Sequence, residues 1–499
     1  MTVVRTRSGA VRGISFDGVR AWRGVPYARP PVGDLRWAAP QREAPWQGIR
    51  DGGRFGNRAP QQPSQALNLG YGEGADGDTP MDEDCLYLNV CAPDAPEGSR
   101  LPVQVWVHGG GYVVGSGPQY FGDGAAVARR GVVVVSFNYR LGALGMLNLG
   151  ALLGPQEGCA ANNTLRDQIA ALRWVRENIT AFGGDPGNVT VHGVSAGGKS
   201  VVNLMATPAA KGLFHRAIVQ SGGDHVAEPD NSADLARRFT ELLGLPGGDL
   251  SRLRDVPAVD LLAAQLALSE GTRATWTWRP TIDGGLLPQR PTRALSLGQA
   301  AGIPLLIGST GNEAGAYHLM DPTAREHTAA VRQEIFGADA DHAAATYAAL
   351  HPNATQEETD RMFMSDERYG VPSLQLADAQ SRHAPVWHYR FTGPLPGQPP
   401  EFWMFHGTDI PYAWGLFENS DDPGAATLCR AILDAWTAFR HHAVPYSPHL
   451  PTWPEYDGVT RATMVLGTTP HITLDGAVPQ YAPLWANREW NPGTWWPQA

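Results

Sequence analysis

Continuous runs of apolar, mostly β-branched residues alternate along the chain with segments of helical periodicity. The two densest runs are Leu101–Val107 (LPVQVWV) and Gly131–Phe137 (GVVVVSF). Runs of this length predict strands that are buried on both faces, as in a parallel sheet. Further strands are predicted at Val189–His192, Arg216–Ser221, Ile303–Gly308 and Pro385–Phe391.

The segment Thr164–Ile179 has the clearest helical pattern, because its apolar residues recur at spacings of three and four. Thr164 is the predicted N-cap, with Asp167 in the first turn as in a capping box. Two more helices are predicted at Gly197–Thr207 and Gly424–His442. Strands therefore alternate with helices, which predicts an α/β fold with a large, mostly parallel central sheet flanked by helices.

Two helix-rich segments, at about 228–300 and 321–382, interrupt this alternation. We interpret them as excursions from the sheet that form the walls of a substrate gorge. The 499 residues are compatible with one sheet, since large α/β enzymes reach this length. The prediction is a single domain over residues 1–499.

The net charge of the chain and the spacing of its cysteines disfavour several kinds of partner and binding site. The net charge of −10 disfavours nucleic acid or an anionic membrane as a partner. The four cysteines lack metal-ligand spacing, so a zinc site is not expected, and most should be small buried apolar residues. The N-terminal segment lacks the apolar core of a signal peptide, and no apolar run approaches the ~20 residues that span a bilayer. We therefore expect a cytoplasmic location.

Residues 193–200 read GVSAGGKS and fit two motifs. In G-x-S-x-G, a sharp turn from a strand to a helix presents a nucleophilic serine, here Ser195. In G-x-x-x-x-G-K-S, the backbone cradles phosphates and the lysine, here Lys199, contacts them. Neither motif is specific by itself in a chain with 58 glycines.

The rest of the chain favours the hydrolase motif. A phosphate-binding loop needs an aspartate at the end of a second strand to complete a magnesium site, and none of the predicted strands supplies one. A serine hydrolase of the α/β class needs an oxyanion loop after an earlier strand, and an acid and then a histidine after the serine. All three features are present.

The oxyanion loop is His108–Gly111 (HGGG), which directly follows the predicted strand Leu101–Val107. Such a loop aims backbone N–H groups at the developing oxyanion, together with the N–H group of the residue after the nucleophile. The predicted donors are therefore the N–H groups of Gly110, Gly111 and Ala196.

The acid is Glu313, which follows the strand Ile303–Gly308, and the histidine is His406, in a loop after Pro385–Phe391. His406 would take the proton of Ser195, while Glu313 would fix the tautomer of the imidazole and stabilise the imidazolium. The reaction proceeds through an acyl-enzyme. No metal or organic cofactor is needed, and the expected partner is a small-molecule ester.

Eight further segments carry a family resemblance. They are Arg23–Ala28 (RGVPYA), Pro30–Trp37 (PPVGDLRW), Asp82–Val90 (DEDCLYLNV), Asn138–Gly142 (NYRLG), Phe182–Pro186 (FGGDP), Gln220–Gly222 (QSG), His406–Tyr412 (HGTDIPY) and Trp453–Tyr456 (WPEY). With these segments the chain resembles, nearly from end to end, the type B carboxylesterases, the family of the cholinesterases and bacterial p-nitrobenzyl esterases. The resemblance implies ester hydrolysis and gives the catalytic and oxyanion roles to the same residues as above.

The chain departs from the family pattern at three places. The residue before the nucleophile, usually Glu, is Val194, which predicts weaker binding of cationic esters. The F-G-x-x-C segment ends in Ala59, so Cys85 lacks the disulfide partner that many relatives have. Asn312 and Ala314 flank the acid, where relatives usually have Asp and Gly.

The sequence indicates the residues of the substrate pocket, and those that support the triad, less specifically than the triad itself. Tyr112, Val194 and Trp414 are the candidate pocket residues, and for the two aromatic residues core packing is an equal alternative. Ser221 is either a partner of the triad, as the resemblance implies, or a structural serine. Lys199 is expected to extend to solvent or to form an ion pair, with a catalytic role as the less favoured alternative.

Other functions stay open. The same triad could act mainly on amides, carbamates or thioesters. Two remote alternatives are a non-catalytic binding protein of the same family and a nucleotide hydrolase with a phosphate-binding loop. The natural substrate and the oligomeric state, monomer or dimer, are not determined by these patterns.

Overall fold

The computed structural model describes residues 2–62, 79–96, 98–154, 159–247, 249–269, 277–320, 324–474 and 482–485. The chain divides into two compact units. The first comprises Met1–Ala217, His225–Thr272 and Trp276–Arg290, and the second comprises Ile218–Asp224, Arg273–Thr275 and Pro291–Ala499. The single domain expected from the sequence stays a prediction.

The described part of the first unit contains nine complete strands. They are β1 (Val3–Arg5), β2 (Ala10–Arg12), β3 (Ile14–Phe16), β4 (Val19–Pro26), β5 (Ile49–Asp51), β6 (Tyr87–Pro93), β7 (Leu101–Val107), β8 (Val133–Phe137) and β9 (Gly184–Val194). A small sheet has the order β1-β2-β5, and a larger one has the order β9-β7-β8-β6-β4-β3. In the larger sheet β7 is parallel to β8 and β9, while β6, β4 and β3 pair antiparallel towards the edge.

The strands that lie wholly within the second unit pair mostly in parallel. They are β11 (Leu305–Thr310), β12 (Val386–Phe391), β13 (Thr463–Leu466) and β14 (His471–Thr473), in the order β14-β13-β12-β11. The first three pair in parallel and β14 is antiparallel to β13. Strand β10 spans Arg216–Gln220. The first unit includes its residues up to Ala217, and the second unit includes those from Ile218 onwards.

From β7 to β12, each strand is followed by one or more helices. In the first unit the helices are α1 (Ala125–Ala128), α2 (Gly142–Met146), α3 (Gly150–Leu153), α4 (Asn163–Asn178), α5 (Ala196–Ala206), α6 (Pro229–Leu242), α7 (Leu250–Asp255) and α8 (Ala258–Ser269). In the second they are α9 (Pro291–Ser296), α10 (Gly315–Met320), α11 (Ala324–Phe336), α12 (Ala340–Leu350), α13 (Gln356–Ser365), α14 (Val371–Gln380), α15 (Ile410–Ala413), α16 (Pro423–His442) and α17 (Ala482–Trp485). A π-helical turn, Asp366–Gly370, joins α13 to α14.

The predicted strands and helices are confirmed at the places that position the site. Strand β7 has the predicted bounds and is buried from Pro102 to Val107, and all of β8 is buried, as expected for parallel strands covered on both faces. Helix α5 begins one residue before its predicted start. No helix of the described ranges is both long enough and apolar enough to cross a membrane. Cys85, Cys91 and Cys429 are buried, and Cys159 is partly exposed.

The predicted N-cap of helix α4 is wrong. The cap is Asn162, and the hydroxyl of Thr164 instead donates to the carbonyl oxygen of Arg140 at 2.6 Å. Asp167 does not close a capping box, because both of its carboxylate oxygens accept from the Arg140 guanidinium, at 2.7 and 2.8 Å. Both side chains that the local pattern assigned to the cap therefore bond to Arg140, which lies far from them in the chain.

Replacing Asp167 is expected to destabilise the fold. The side chains of Asp167 and Arg140 are 0% and 3% exposed, so Asp167→Asn leaves a buried guanidinium without its counter-charge. We expect the free energy of unfolding to fall by about 3–5 kcal/mol, measured by urea denaturation. The matched control is Asp234→Asn, whose carboxylate pairs with Arg237 on the surface of α6 and should contribute less than about 1 kcal/mol. Equal losses in the two variants would contradict the prediction.

Candidate active site

Ser195 lies at a sharp turn between β9 and α5. Its φ of 57° and ψ of −123° form a conformation that residues with a side chain rarely adopt and that stores about 1–3 kcal/mol. The carbonyl oxygen of Ser195 accepts from the N–H group of Lys199 at 2.8 Å, which starts the helix. The strand-turn-helix predicted from G-x-S-x-G is therefore confirmed, and the serine is 7% exposed.

Close backbone approach explains the glycines around this turn. A Cβ atom on Gly193 would lie 2.4 Å from the carbonyl oxygen of Gly197. One on Gly197 would lie 2.0 Å from the carbonyl oxygen of Val107, the last residue of β7. These distances leave no room for a side chain, so the turn requires glycine at both positions.

The loop His108–Gly111 packs against Ser195. A Cβ atom on Gly109 would lie 3.2 Å from the Cβ atom of Ser195. Tyr139 supports the loop, because its hydroxyl donates to the His108 carbonyl oxygen at 2.6 Å and its ring stacks on the His108 ring at 4.1 Å. Burial lowers the pKa of His108 to about 4, so this histidine is neutral near pH 7 and its contacts are structural.

The three predicted oxyanion donors share one feature. Within the described part of the chain, no group accepts a hydrogen bond from the N–H groups of Gly110, Gly111 or Ala196. Ala196 is the first residue of α5, where backbone N–H groups lack partners inside the helix and carry partial positive charge. Such N–H groups remain available for an oxygen atom of a bound substrate.

Glu313 and His406 form a buried pair within the second unit. The distance from His406 Nδ1 to Glu313 Oε2 is 2.5 Å, and the residues are 4% and 1% exposed. When the carboxylate is ionised and the imidazole is neutral, Nδ1 donates to Oε2 and Nε2 is left as an acceptor. The other carboxylate oxygen, Oε1, accepts from the Ser221 hydroxyl at 2.5 Å and from the Thr310 N–H group at 2.7 Å.

Two loops bring this pair together. Glu313 follows strand β11, and His406 lies in the segment between β12 and α15. The loops are joined by a hydrogen bond from the Asn312 N–H group to the carbonyl oxygen of Met404, at 2.9 Å. Chain order predicted both residues, and the structure adds that Ser221 bonds to the acid, as the family resemblance implies.

Three residues near His406 were missed by the sequence reasoning. The ring of Tyr369 stacks on the His406 ring at 4.5 Å between centroids, and its hydroxyl contacts the hydroxyl of Tyr317 at 3.2 Å. Asp409 accepts from the hydroxyl of Tyr389 at 2.8 Å, and burial raises its pKa to about 6. Asp409 lies in the HGTDIPY segment, which signalled its neighbourhood, whereas nothing in the sequence signals the π-helical turn that carries Tyr369.

The remaining candidates are deeply buried. Tyr112 and Val194 belong to the first unit and Trp414 to the second, and each is 1% exposed. Their contact with a substrate stays a prediction. Lys199 is also 1% exposed, which excludes the alternative that its ammonium group extends to solvent.

Comparison with known proteins gives a consistent result. The sequence profile of the Carboxylesterase family matches residues 1–479. The para-nitrobenzyl esterase of Bacillus subtilis (strain 168) is 39% identical over 95% of this chain and 96% of its own length. The phenmedipham hydrolase of Pseudarthrobacter oxydans is 34% identical over 93% of this chain and 95% of its own.

Solved structures agree with these relatives. A structure of a PNB esterase superposes with a TM-score of 0.85 at 37% identity, and covers 97% of this chain and 99% of its own. A Geobacillus stearothermophilus carboxylesterase superposes with a TM-score of 0.86 at 34% identity and the same coverage. The predicted fold is thereby confirmed as an α/β-hydrolase fold with a large, mostly parallel mixed sheet and flanking helices. The chain belongs to the carboxylesterase family and is a serine carboxylesterase, a hydrolase of carboxylic esters.

Proposed function

We propose that Ser195 is the nucleophile of this esterase, with His406 as its general base and Glu313 as the acid that orients the histidine. The observation that carries the proposal is the buried bond from His406 Nδ1 to Glu313 at 2.5 Å. This bond fixes the tautomer in which Nε2 can accept a proton from a serine hydroxyl. The strained turn at Ser195 supports the nucleophilic role, because such turns present a serine clear of the sheet.

The proposed cycle has two halves that use the same groups. Ser195 attacks the ester carbonyl as His406 takes its proton, and the same proton then passes from Nε2 to the departing alcohol. The N–H groups of Gly110, Gly111 and Ala196 bond the oxyanion. Water then attacks the acyl-enzyme by the same route, and the carboxylic acid leaves.

The direct test of the proposal is covalent labelling. A p-nitrophenyl phosphonate should inactivate the enzyme with release of one equivalent of p-nitrophenol, and peptide mapping should place the adduct on Ser195. An adduct on another serine would overturn the proposal. A panel of p-nitrophenyl esters, anilides and carbamates of graded acyl length would then rank the substrate classes.

The substrate class is proposed more narrowly as neutral esters. The names of the relatives refer to p-nitrobenzyl esters, fumonisin B1 and phenmedipham, so family membership alone leaves the choice open. The residue before the nucleophile is the apolar Val194, 1% exposed, which provides no carboxylate for a cationic group. A small-molecule ester is the proposed partner, and the cytoplasmic location stays a prediction.

Choline esters should therefore gain nothing from their charge. We expect kcat/KM for butyrylcholine to be no higher than for 3,3-dimethylbutyl butyrate, its neutral isostere, because a cation is attracted only where a negative charge or an aromatic face meets it. Val194→Glu should raise this ratio about tenfold, equivalent to about 1.4 kcal/mol, and Val194→Gln is the neutral control. A preference of the wild-type enzyme for the choline ester would contradict the prediction.

A further inference from the structure

The Tyr369 hydroxyl lies beside the atom of His406 that transfers the proton in the proposed cycle, and it contacts the Tyr317 hydroxyl. The Tyr369 hydroxyl is 3.4 Å from Nε2, and the Tyr317 hydroxyl is 3.2 Å from that of Tyr369. The Tyr369 and Tyr317 rings lie 4.5 and 5.9 Å from the imidazole, measured between centroids. All three residues belong to the second unit, and neither tyrosine has a role in the cycle described above.

The contact between Tyr369 and Nε2 is longer than an ordinary hydrogen bond. Bonds between a hydroxyl and a ring nitrogen are usually about 2.7–3.0 Å, and the two rings lie only 23° from parallel. The lone pair of Nε2 lies in the plane of the imidazole, whereas a stacked ring approaches from its face. The hydroxyl therefore lies next to the proton-transfer atom while leaving its in-plane direction open.

Any atom that Nε2 protonates must come within hydrogen-bond distance of it. The leaving-group oxygen or nitrogen is then about 2.6–3.2 Å from Nε2. Nε2 and the Tyr369 hydroxyl are 3.4 Å apart. An atom of the leaving group can therefore lie at such a distance from both of them at once. A single heteroatom can thus contact both groups without displacing either.

We propose that Tyr369 is a catalytic residue that hydrogen-bonds the leaving-group heteroatom as His406 protonates it. The proton itself comes from Nε2, and the Tyr369 hydroxyl keeps its own. A phenolic hydroxyl donates one hydrogen bond and accepts two, so it can donate to an alkoxide oxygen or accept from the N–H group of an anilide. Either hydroxyl can be the donor in the contact between Tyr369 and Tyr317, so Tyr317 is the donor when Tyr369 gives its single hydrogen bond to the leaving group.

Burial supports the role of donor over that of base. It raises the pKa of Tyr369 and that of Tyr317 above the usual tyrosine range. Both hydroxyls therefore remain protonated near neutral pH. The stacked ring of Tyr369 also keeps water away from one face of the imidazole.

The proposal defines a substrate class. A poor leaving group, such as ethoxide or an anilide nitrogen, must be protonated as it departs, and a hydrogen bond to it stabilises the transition state. p-Nitrophenolate departs without a proton and gains little from such a bond. Tyr369 should therefore extend the activity to alkyl esters and anilides. This inference rests on the proposed function, in which His406 serves Ser195.

The test is Tyr369→Phe, which keeps the stacked ring and removes the hydroxyl. The probes share one acyl group: p-nitrophenyl, phenyl and ethyl butyrate, and butyranilide, each followed as kcat/KM because this parameter reports acylation. We expect about a tenfold loss for ethyl butyrate and butyranilide, and less than a twofold change for p-nitrophenyl butyrate. The dependence of kcat/KM on leaving-group basicity should steepen accordingly.

Two further variants serve as controls. Tyr317→Phe should give a smaller loss in the same direction, because it releases the Tyr369 hydroxyl without removing it. Tyr347→Phe removes another buried hydroxyl of the second unit, which bonds Asp366 at 2.9 Å, and should leave the ratio between substrates unchanged.

Two outcomes would overturn the inference. An equal loss for all four substrates would mean that Tyr369 only holds His406 in place, and unchanged rates would mean that it only packs. A failure of the proposed function is distinct, because phosphonate labelling would then miss Ser195 in the wild-type enzyme, whatever Tyr369→Phe does.

Discussion

Replacing Ser195 by alanine should lower kcat/KM for p-nitrophenyl butyrate by about 10⁴- to 10⁶-fold. In the proposed cycle the variant loses the atom that forms the acyl-enzyme, while the N–H groups of the loop His108–Gly111 are untouched. The residual rate should come from water attacking a bound ester whose carbonyl is still polarised. The measurement is a steady-state assay with phosphonate labelling, which should detect no adduct.

The strained turn provides a second readout at the same position. Ser195 has a φ of 57°, which glycine adopts without strain. Ser195→Gly should therefore unfold at a higher urea concentration than Ser195→Ala, with a difference in free energy of about 1 kcal/mol, although both are inactive. The matched control is Ser200→Ala in the same helix, which should keep most of the activity. Activity of Ser195→Ala above a tenth of the wild-type value would contradict the assignment of the nucleophile.

The strands at the centre of the first unit could be predicted because their side chains alone specify burial. Leu101–Val107 is apolar at every position except Gln104, and its observed bounds are those predicted. Strand β9 is different, since it begins at Gly184 and not at Val189. Its first residues, GDPGN, carry no strand pattern, and Gly184 pairs with Leu101 through the backbone. Pairing that depends on a partner strand is invisible to a pattern read along one segment.

The residues of the candidate site also divide into those that a pattern along the chain can indicate and those that depend on tertiary packing. Ser195, Glu313 and His406 could be named as candidates because a fixed chain order accompanies local motifs, and their catalytic roles stay a proposal. Two other interactions could not be predicted, because tertiary packing brings their residues together. Arg140 and Asp167, which form an ion pair, are 27 positions apart, and Tyr369 and His406, which stack, are 37 positions apart. Residues that support a site are specified by the packing around it, whereas those that react are specified by local turns.

Replacing Glu313 by glutamine should lower kcat by about 10⁴-fold with little change in KM. Oε1 accepts from both the Thr310 N–H group and the Ser221 hydroxyl, so the amide oxygen of glutamine should occupy that position. Its NH₂ group then faces Nδ1 of the histidine. Nδ1 must accept, the ring proton moves to Nε2, and the histidine can no longer take a proton from serine.

Glu313→Asp keeps the carboxylate and shortens the side chain. It therefore separates the effect of the charge and the tautomer from the effect of lost packing. The shorter carboxylate still accepts from Nδ1, though at a longer distance, so this variant should retain far more activity than Glu313→Gln at equal stability to urea. Ser221→Ala removes one of the two donors to Oε1 and should cost about tenfold, since the Thr310 N–H group still holds the carboxylate. If Glu313→Gln kept kcat within tenfold of the wild type, the histidine would not depend on this carboxylate for its tautomer. The acid would then have to be sought among other buried carboxylates of the second unit, of which Asp409, with its pKa raised to about 6, is the first to test.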